Sequence, residues 1–354
     1  MRCSTPVSTS QAYPSLREGH SLTRVWFVLL SRSSSAHGIG CRPYSINNPM
    51  KQRFEIAKRD KTPVITFPGP NKVGSTFTIL VQSDEHWDNP HSLNDLAAKH
   101  MQQAVDINAP ICKFGDQLCM MSGRYDPRRS RGGIKPEHDK PDYIGAVVSG
   151  YADYLKPYAA NIAFMGQGNH ELSILKNNET DPTARVCERL RQDGSNVIEG
   201  GIGGWIIVRV FLTKTTVIST AIHWHHGSGG GGPVTKGVIS SNRKAASVGS
   251  EASVFLGGHI HESWCVELCR DRLNMQTGRT YIDSALAITS PTYKQEYDPA
   301  GSSWHSLQGR PPKPLGATWL DFHLESSHED ESSRVDGNGK RPLYKLRPDA
   351  RRAR

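Results

Sequence analysis

Five stretches of this chain join an apolar, β-branched run to side chains able to hold a cation. Phe77–Gln82 stops at Ser83-Asp84-Glu85-His86, and Ile111–Phe114 stops at Gly115-Asp116. Asn161–Met165 leads to Gly168-Asn169-His170-Glu171, and Thr216–Ile222 leads to His223-Trp224-His225-His226-Gly227. Ser253–Leu256 leads to Gly257-Gly258-His259-Ile260-His261. Mixed imidazole, carboxylate and amide donors suit manganese, iron or zinc rather than calcium. An i, i+2 pair points both side chains to one face of an extended strand. Asp84/His86 and His259/His261 are therefore each expected to face one cation cluster. A single Asp-x-His is common by chance, whereas five such sites in order, each ending an apolar run, form a constellation.

Donors grouped in this way could hold two cations close together. Two cations about 3.5–4 Å apart clamp the attacking and leaving oxygens of an in-line displacement and lower the pKa of a bridging water. A carboxylate such as Asp116 has two oxygens with which to bridge the ions, and Asn169 adds a neutral oxygen that keeps the site cationic. The Gly227–Gly232 run offers backbone N–H groups that could cradle an anion. Arg124, Arg128, Arg129 and Lys236 are candidate phosphate contacts, with Arg124 and Lys236 the better two.

Such side chains must be held by short buried strands, and the apolar runs fit that description. Helical stretches are expected between them at Ser92–Asn108, Tyr143–Leu155 and Thr183–Arg191, with further strands at Arg279–Asp283 and Ala317–Leu324. Strands alternating with helices favour a layered α/β domain whose ligand site lies beyond the carboxyl ends of the strands. Residues 1–49, rich in Ser, Arg and Gly, read as a disordered or mis-annotated extension before Met50, where a more usual protein start begins. Residues 50–325 are then one catalytic domain, and 326–354 a polar, basic tail.

The net charge of +9 belongs to the ends. Five arginines against Glu18 give residues 1–49 a charge of +4. Seven lysines and arginines against Asp349 give residues 340–354 a charge of +6, which leaves −1 for 50–339. The middle is therefore not a polybasic surface for nucleic acid. Seven cysteines in a chain of 354 residues do not describe a disulfide framework, so a reducing, cytoplasmic setting is expected. No apolar run reaches the ~20 residues needed to span a bilayer, and no membrane association is expected.

Taken together, Asp84-Glu85-His86, Gly115-Asp116, Gly168-Asn169-His170-Glu171, His226-Gly227 and Gly258-His259-Ile260-His261 resemble the motifs of the calcineurin-like metallophosphoesterases. Text around Arg124–Arg129, Gly227–Gly237 and Gly309–Gly316 is similar to a phage and prophage branch of that family. The resemblance implies a four-layer α/β/β/α sandwich and two divalent metal ions, manganese first and iron or zinc otherwise. It assigns Asp84, His86 and His261 to one metal, Asn169, His226 and His259 to the other, and Asp116 to the bridge. His170 would be the general acid or a phosphate-stabilising donor. The implied activity is hydrolysis of a phosphate mono- or diester by a metal-bridging hydroxide.

Two departures stand out. Cys119 occupies a position where many members carry aspartate, which implies retuned metal binding. Three neighbouring histidines compete for one ligand role; glycine after His226 favours it over His225 and His223. The alternatives are a DNA or RNA nuclease of the same superfamily and a metal-binding scaffold without catalysis.

Overall fold

The computed structural model describes residues 52–120, 133–232, 234–248, 251–275, 278–298, 304–327, 335–336, 339–340 and 343–353. The chain begins with β1 (Glu55–Arg59), β2 (Thr62–Phe67), β3 (Thr76–Gln82), α1 (Asn94–Asp106) and β4 (Ile111–Phe114). Next come α2 (Tyr143–Leu155), β5 (Ile162–Gly166), α3 (Asn169–Asn178), α4 (Pro182–Gln192) and β6 (Ile198–Glu199). Its second half holds β7 (Gly203–Phe211), β8 (Val217–His225), α5 (Val238–Ser247), β9 (Ala252–Gly257), β10 (Trp264–Asn274) and β11 (Arg279–Thr289). Last are the one-turn α6 (Trp304–Leu307), β12 (Thr318–Ser327), β13 (Val335–Asp336), β14 (Gly339–Lys340) and β15 (Leu343–Arg352). All described residues belong to one unit, Asn48–Arg354.

The fold is mixed α/β. One sheet runs β1-β2-β7-β8-β9-β11-β10 and the other β15-β12-β3-β4-β5-β6, each with parallel and antiparallel pairs. Strands β3 and β4 are buried along nearly their whole length, as expected of parallel strands covered on both faces. One apolar cluster contains side chains of both sheets, among them Phe67, Ile79, Phe114, Phe164, Val208, Trp224, Leu256 and Phe322. A second joins Leu80, Ile111 and Ile162 to Met101, Val147, Tyr151 and Leu190 of the helices. The third, smaller cluster puts Ala245 of α5 against Phe255 and Ala287.

Helix starts follow local chemistry. Asp142 accepts a hydrogen bond from Gly145 N at the start of α2, and Asp181 from Ala184 N at the start of α4, where Pro182 takes the first turn.

Residues past 325 depart from the expected tail. β15 pairs with β12 from Thr318↔Arg352 to Ser327↔Leu343 and forms the edge of its sheet. Leu346 and Ala350 face the inter-sheet cluster, while Arg347 pairs with Glu325 and Arg351 with Asp321, each at 2.7 Å. Charges and Pro348 on an edge strand keep other chains from adding to it, so a protected edge resembles a solvated tail in composition. Residues 1–49 and Arg124, Arg128 and Arg129 lie outside the described residues.

Candidate metal centre

The predicted residues converge just past the ends of five elements. Asp84 and His86 follow β3, Asp116 follows β4, Asn169 and His170 open α3, His226 follows β8, and His259 and His261 follow β9. Asp84, His86, Asp116 and His226 are buried; Asn169, His170, His259 and His261 are half-buried.

The paired residues do not sit on strands as the i, i+2 argument supposed. Asp84, His86, Asp116, His259 and His261 all have positive φ, between 48° and 69°. Left-handed backbone is uncommon outside glycine and concentrates where function demands a particular direction. Each chain turns sharply as it leaves the sheet, and the turn rather than strand alternation aims both members of a pair inward. Gly115 (φ 91°) is required here, because a Cβ on it would stand 2.5 Å from His226 Nδ1 and 2.7 Å from the Gln167 carbonyl.

Candidate ligand atoms of Asp84, His86 and His261 lie within 4.8 Å of one another, as do those of Asp116, His226 and His259. In the first group, His261 Nε2 is 3.3 Å from His86 Nε2 and 3.4 Å from Asp84 Oδ1. In the second, His226 Nε2 is 3.1 Å from Asp116 Oδ2. Asn169 Oδ1 is 3.3 Å from His226 Nε2 and 2.7 Å from His259 Nδ1, which ties Asn169 to that group. His226 Nε2 also comes within 3.9 Å of Asp84 Oδ1, so the groups adjoin. These donors fit divalent ions of the manganese–iron–zinc type. His86 Nδ1 is buried without a hydrogen-bond partner among the described residues.

Supporting contacts fix the donors. Because the Phe114 carbonyl can only accept, His226 Nδ1 donates to it at 2.9 Å, leaving Nε2 for the cluster. Asp84 accepts from Ser83 Oγ and from the His259 backbone N–H. Asp116 Oδ1 accepts from His170 N at the start of α3, at 2.9 Å, where the helix dipole favours negative charge.

The electrostatics follow. Burial is the largest influence on Asp84 and Asp116 and works to raise both, but His226 together with His261 at Asp84, and with His170 and His86 at Asp116, brings both carboxyls below the usual range. Burial works to lower His226, yet Asp116 and Asp84 push it up to about 10. His86 is held well below its ordinary value by burial and then Lys294, and His259 is lowered by burial and then His226. A proton and a cation would therefore compete for His226 Nε2.

β8 runs through His225, so the three histidines do not all lie past a strand end. His223 packs on Trp205 and Phe255, and His225 Nδ1 accepts from Gly227 N and lies 3.4 Å from Lys244 Nζ of α5. Only His226 of the three joins the cluster.

A cavity of about 950 Å³ opens on His86, Asp116, Asn169, His170, His259 and His261. Lys236 lines it too, alongside Gly229–Gly231.

Several residues here escaped the sequence reading. Lys294, Arg310 and Lys313 line the same cavity. Lys294 pairs with Glu296 at 2.6 Å and Lys313 with Glu262 at 2.5 Å; Glu296 also stands 3.9 Å from His261 Nδ1. No motif marked Lys294, and Arg310 and Lys313 lie in the Gly309–Gly316 stretch, to which no role was attached. Glu171, by contrast, adjoins His170 in a stretch already singled out. Its carboxylate accepts from Gly168 N, Asp116 N and Leu118 N, binding the β4 loop to α3, and burial followed by Asp116 raises it to about 8. Behind Asp84, Glu85 meets Lys113 at 2.6 Å, both almost wholly buried, with Tyr151 donating to the same carboxylate oxygen.

No family model matches the chain, and no curated protein matches it. Among solved structures it is similar to one described as "GAP50 the anchor in the inner membrane complex of Plasmodium", with 8% identity and a TM-score of 0.33 over 72% of this chain and 85% of that one. A likeness at that level carries no argument about activity.

Proposed function

We propose that this chain is a dinuclear metal-dependent phosphoesterase of the calcineurin-like type, its two sheets forming the middle of a four-layer α/β/β/α sandwich. The observation that carries the reading is the adjacency of two groups of candidate cation ligands, Asp84/His86/His261 and Asp116/His226/His259 with Asn169, five of which line one cavity. Asp84, His86 and His261 would hold one ion, Asn169, His226 and His259 the other, and Asp116 would serve both.

Bound there, two divalent cations would supply a nucleophilic water at neutral pH and neutralise charge on the phosphoryl oxygens. The remaining work belongs to the chain. His170 donates Nδ1–H to the Cys119 carbonyl, which fixes the ring and directs Nε2 toward the cavity. From there it holds or delivers the proton needed by a leaving oxygen. Lys236 and Arg310, which line the same cavity, would favour an anionic substrate, while Lys294 and Lys313 there are paired with Glu296 and Glu262. The paired cations of β15 do not supply a free basic arm for nucleic acid, which favours a small phosphate ester over the nuclease alternative. Among the described residues no helix is long and apolar enough to cross a membrane.

Hydrolysis of bis-p-nitrophenyl phosphate with added Mn²⁺, together with metal content per chain, tests this. His170→Ala should cost about 10²–10⁴-fold in rate while two ions remain bound. Absence of hydrolysis with manganese, iron and zinc alike would favour the scaffold reading.

A further inference from the structure

Cys119 lies where the resemblance led us to expect a carboxylate, and the fold does more with it than fill space. It is fully buried, three residues past Asp116. Its Sγ accepts a hydrogen bond from Asn89 Nδ2 at 3.3 Å. Ligand atoms of His86, Cys119 and His170 all lie within 4.8 Å of one another, forming a third group beside the two already described. His86 belongs to this group and to the Asp84 group, and it carries a buried nitrogen that has no hydrogen-bond partner among the described residues. Burial pushes the Cys119 thiol up to about 12, so without a cation it is a neutral thiol.

Two imidazoles and a thiol are a soft donor set. Zn–S near 2.3 Å and Zn–N near 2.0–2.1 Å place ligand atoms of a tetrahedral shell roughly 3.3–3.7 Å apart. From within 4.8 Å, small side-chain rotations close that gap. Three protein ligands leave a fourth position, which faces the cavity because His86 and His170 line it.

We propose that His86, Cys119 and His170 form a binding site for a thiophilic divalent cation, zinc or cadmium, and that filling it blocks the phosphoesterase reaction. The ion takes the place of the Cys119 proton, which leaves to solvent. It draws His86 from the Asp84 group and occupies His170, so the chain is active with manganese and silenced by a softer metal. The blocking half rests on the function proposed above; the binding half does not.

Cadmium is the probe, because a cadmium–thiolate bond gives an ultraviolet charge-transfer band independent of turnover. The full chain, loaded with manganese, is titrated with Cd²⁺ as wild type, as a Cys265→Ser/Cys269→Ser double variant that removes the exposed thiols of the described residues, and as Cys119→Ser built in that double variant. The band should appear in wild type and in the double variant and vanish in Cys119→Ser. Zinc should inhibit diester hydrolysis at concentrations at least tenfold lower in the double variant than in Cys119→Ser. A band that survives in Cys119→Ser, or is lost in the double variant, overturns the site. Equal zinc inhibition of the double variant and Cys119→Ser overturns the blocking step. If Cys119→Ser fails to fold, Cys119→Ala replaces it in the same measurements. A band present in a chain that hydrolyses nothing sustains the site and counts against the proposed function alone.

Discussion

His225 and His226 are neighbours in the chain and share a residue type, yet they belong to different parts of the molecule. His225 is the last residue of β8, half-buried, and turns toward Lys244 of α5 on the outer face of its sheet. His226 is the first residue past the strand, fully buried, and anchored to the Phe114 carbonyl of the other sheet while its Nε2 faces Asp116. One peptide unit separates a ring against a solvent-side helix from a ring between two sheets. Residue type supplies the chemistry, but the position of the strand end decides whether that chemistry meets partners.

The contrast can be broken at several points, beginning with its foundations. Lys113→Met would strand the buried Glu85 carboxylate behind Asp84, and thermal or denaturant unfolding should show a loss of about 3–5 kcal/mol. A mutant within 1 kcal/mol of wild type would mean that the site's back wall does not depend on that pair. His226→Ala should lower affinity for the second cation by on the order of 100-fold or more, read by competition with a metallochromic chelator.

The pH response separates the neighbours in sign. In the metal-free chain His226 is raised to about 10, so its contribution to stability is complete below the ordinary histidine value of about 6.5 and is lost as pH rises through about 10. His225 is lowered by burial and then Lys244, so folding favours its neutral form and it gives no such loss on the alkaline side. Melting temperatures between pH 7 and 10 should therefore fall in wild type and flatten in His226→Gln; parallel curves would refute the assignment. The smallest effect belongs to His225→Ala, expected within about 0.5 kcal/mol of wild-type stability and without change in metal affinity.

Much of the scaffold was legible because its signals are local. The β3 and β4 runs, α2 and the ordered ligand motifs could be read from apolar runs that end in polar donors. β15 could not be, because an edge strand bearing Lys345, Arg347, Arg351 and Arg352 has the composition of a tail and acquires meaning only beside Glu325 and Asp321. Lys294 was invisible for a related reason, since it reaches the cavity from a segment distant in sequence from the motifs, and nothing in the Gly309–Gly316 stretch announced that Arg310 and Lys313 would reach the same cavity. Strand alternation was the wrong explanation for Asp84/His86 and His259/His261, since nothing in a dipeptide spacing reports φ.

Those left-handed backbones carry a consequence for how the chain tolerates change. Each position costs of order 1–3 kcal/mol in an L-residue with a Cβ, and glycine or asparagine would sit there with less strain. At Asp84 and Asp116 that relief is set against the buried hydrogen bonds and the His226 pairing that substitution would remove, whereas at His86, His259 and His261 the backbone would gain from the very substitutions that erase the donors. A population of variants screened for thermal endurance alone should shed these side chains early. Only selection that also demands a bound ion would keep them.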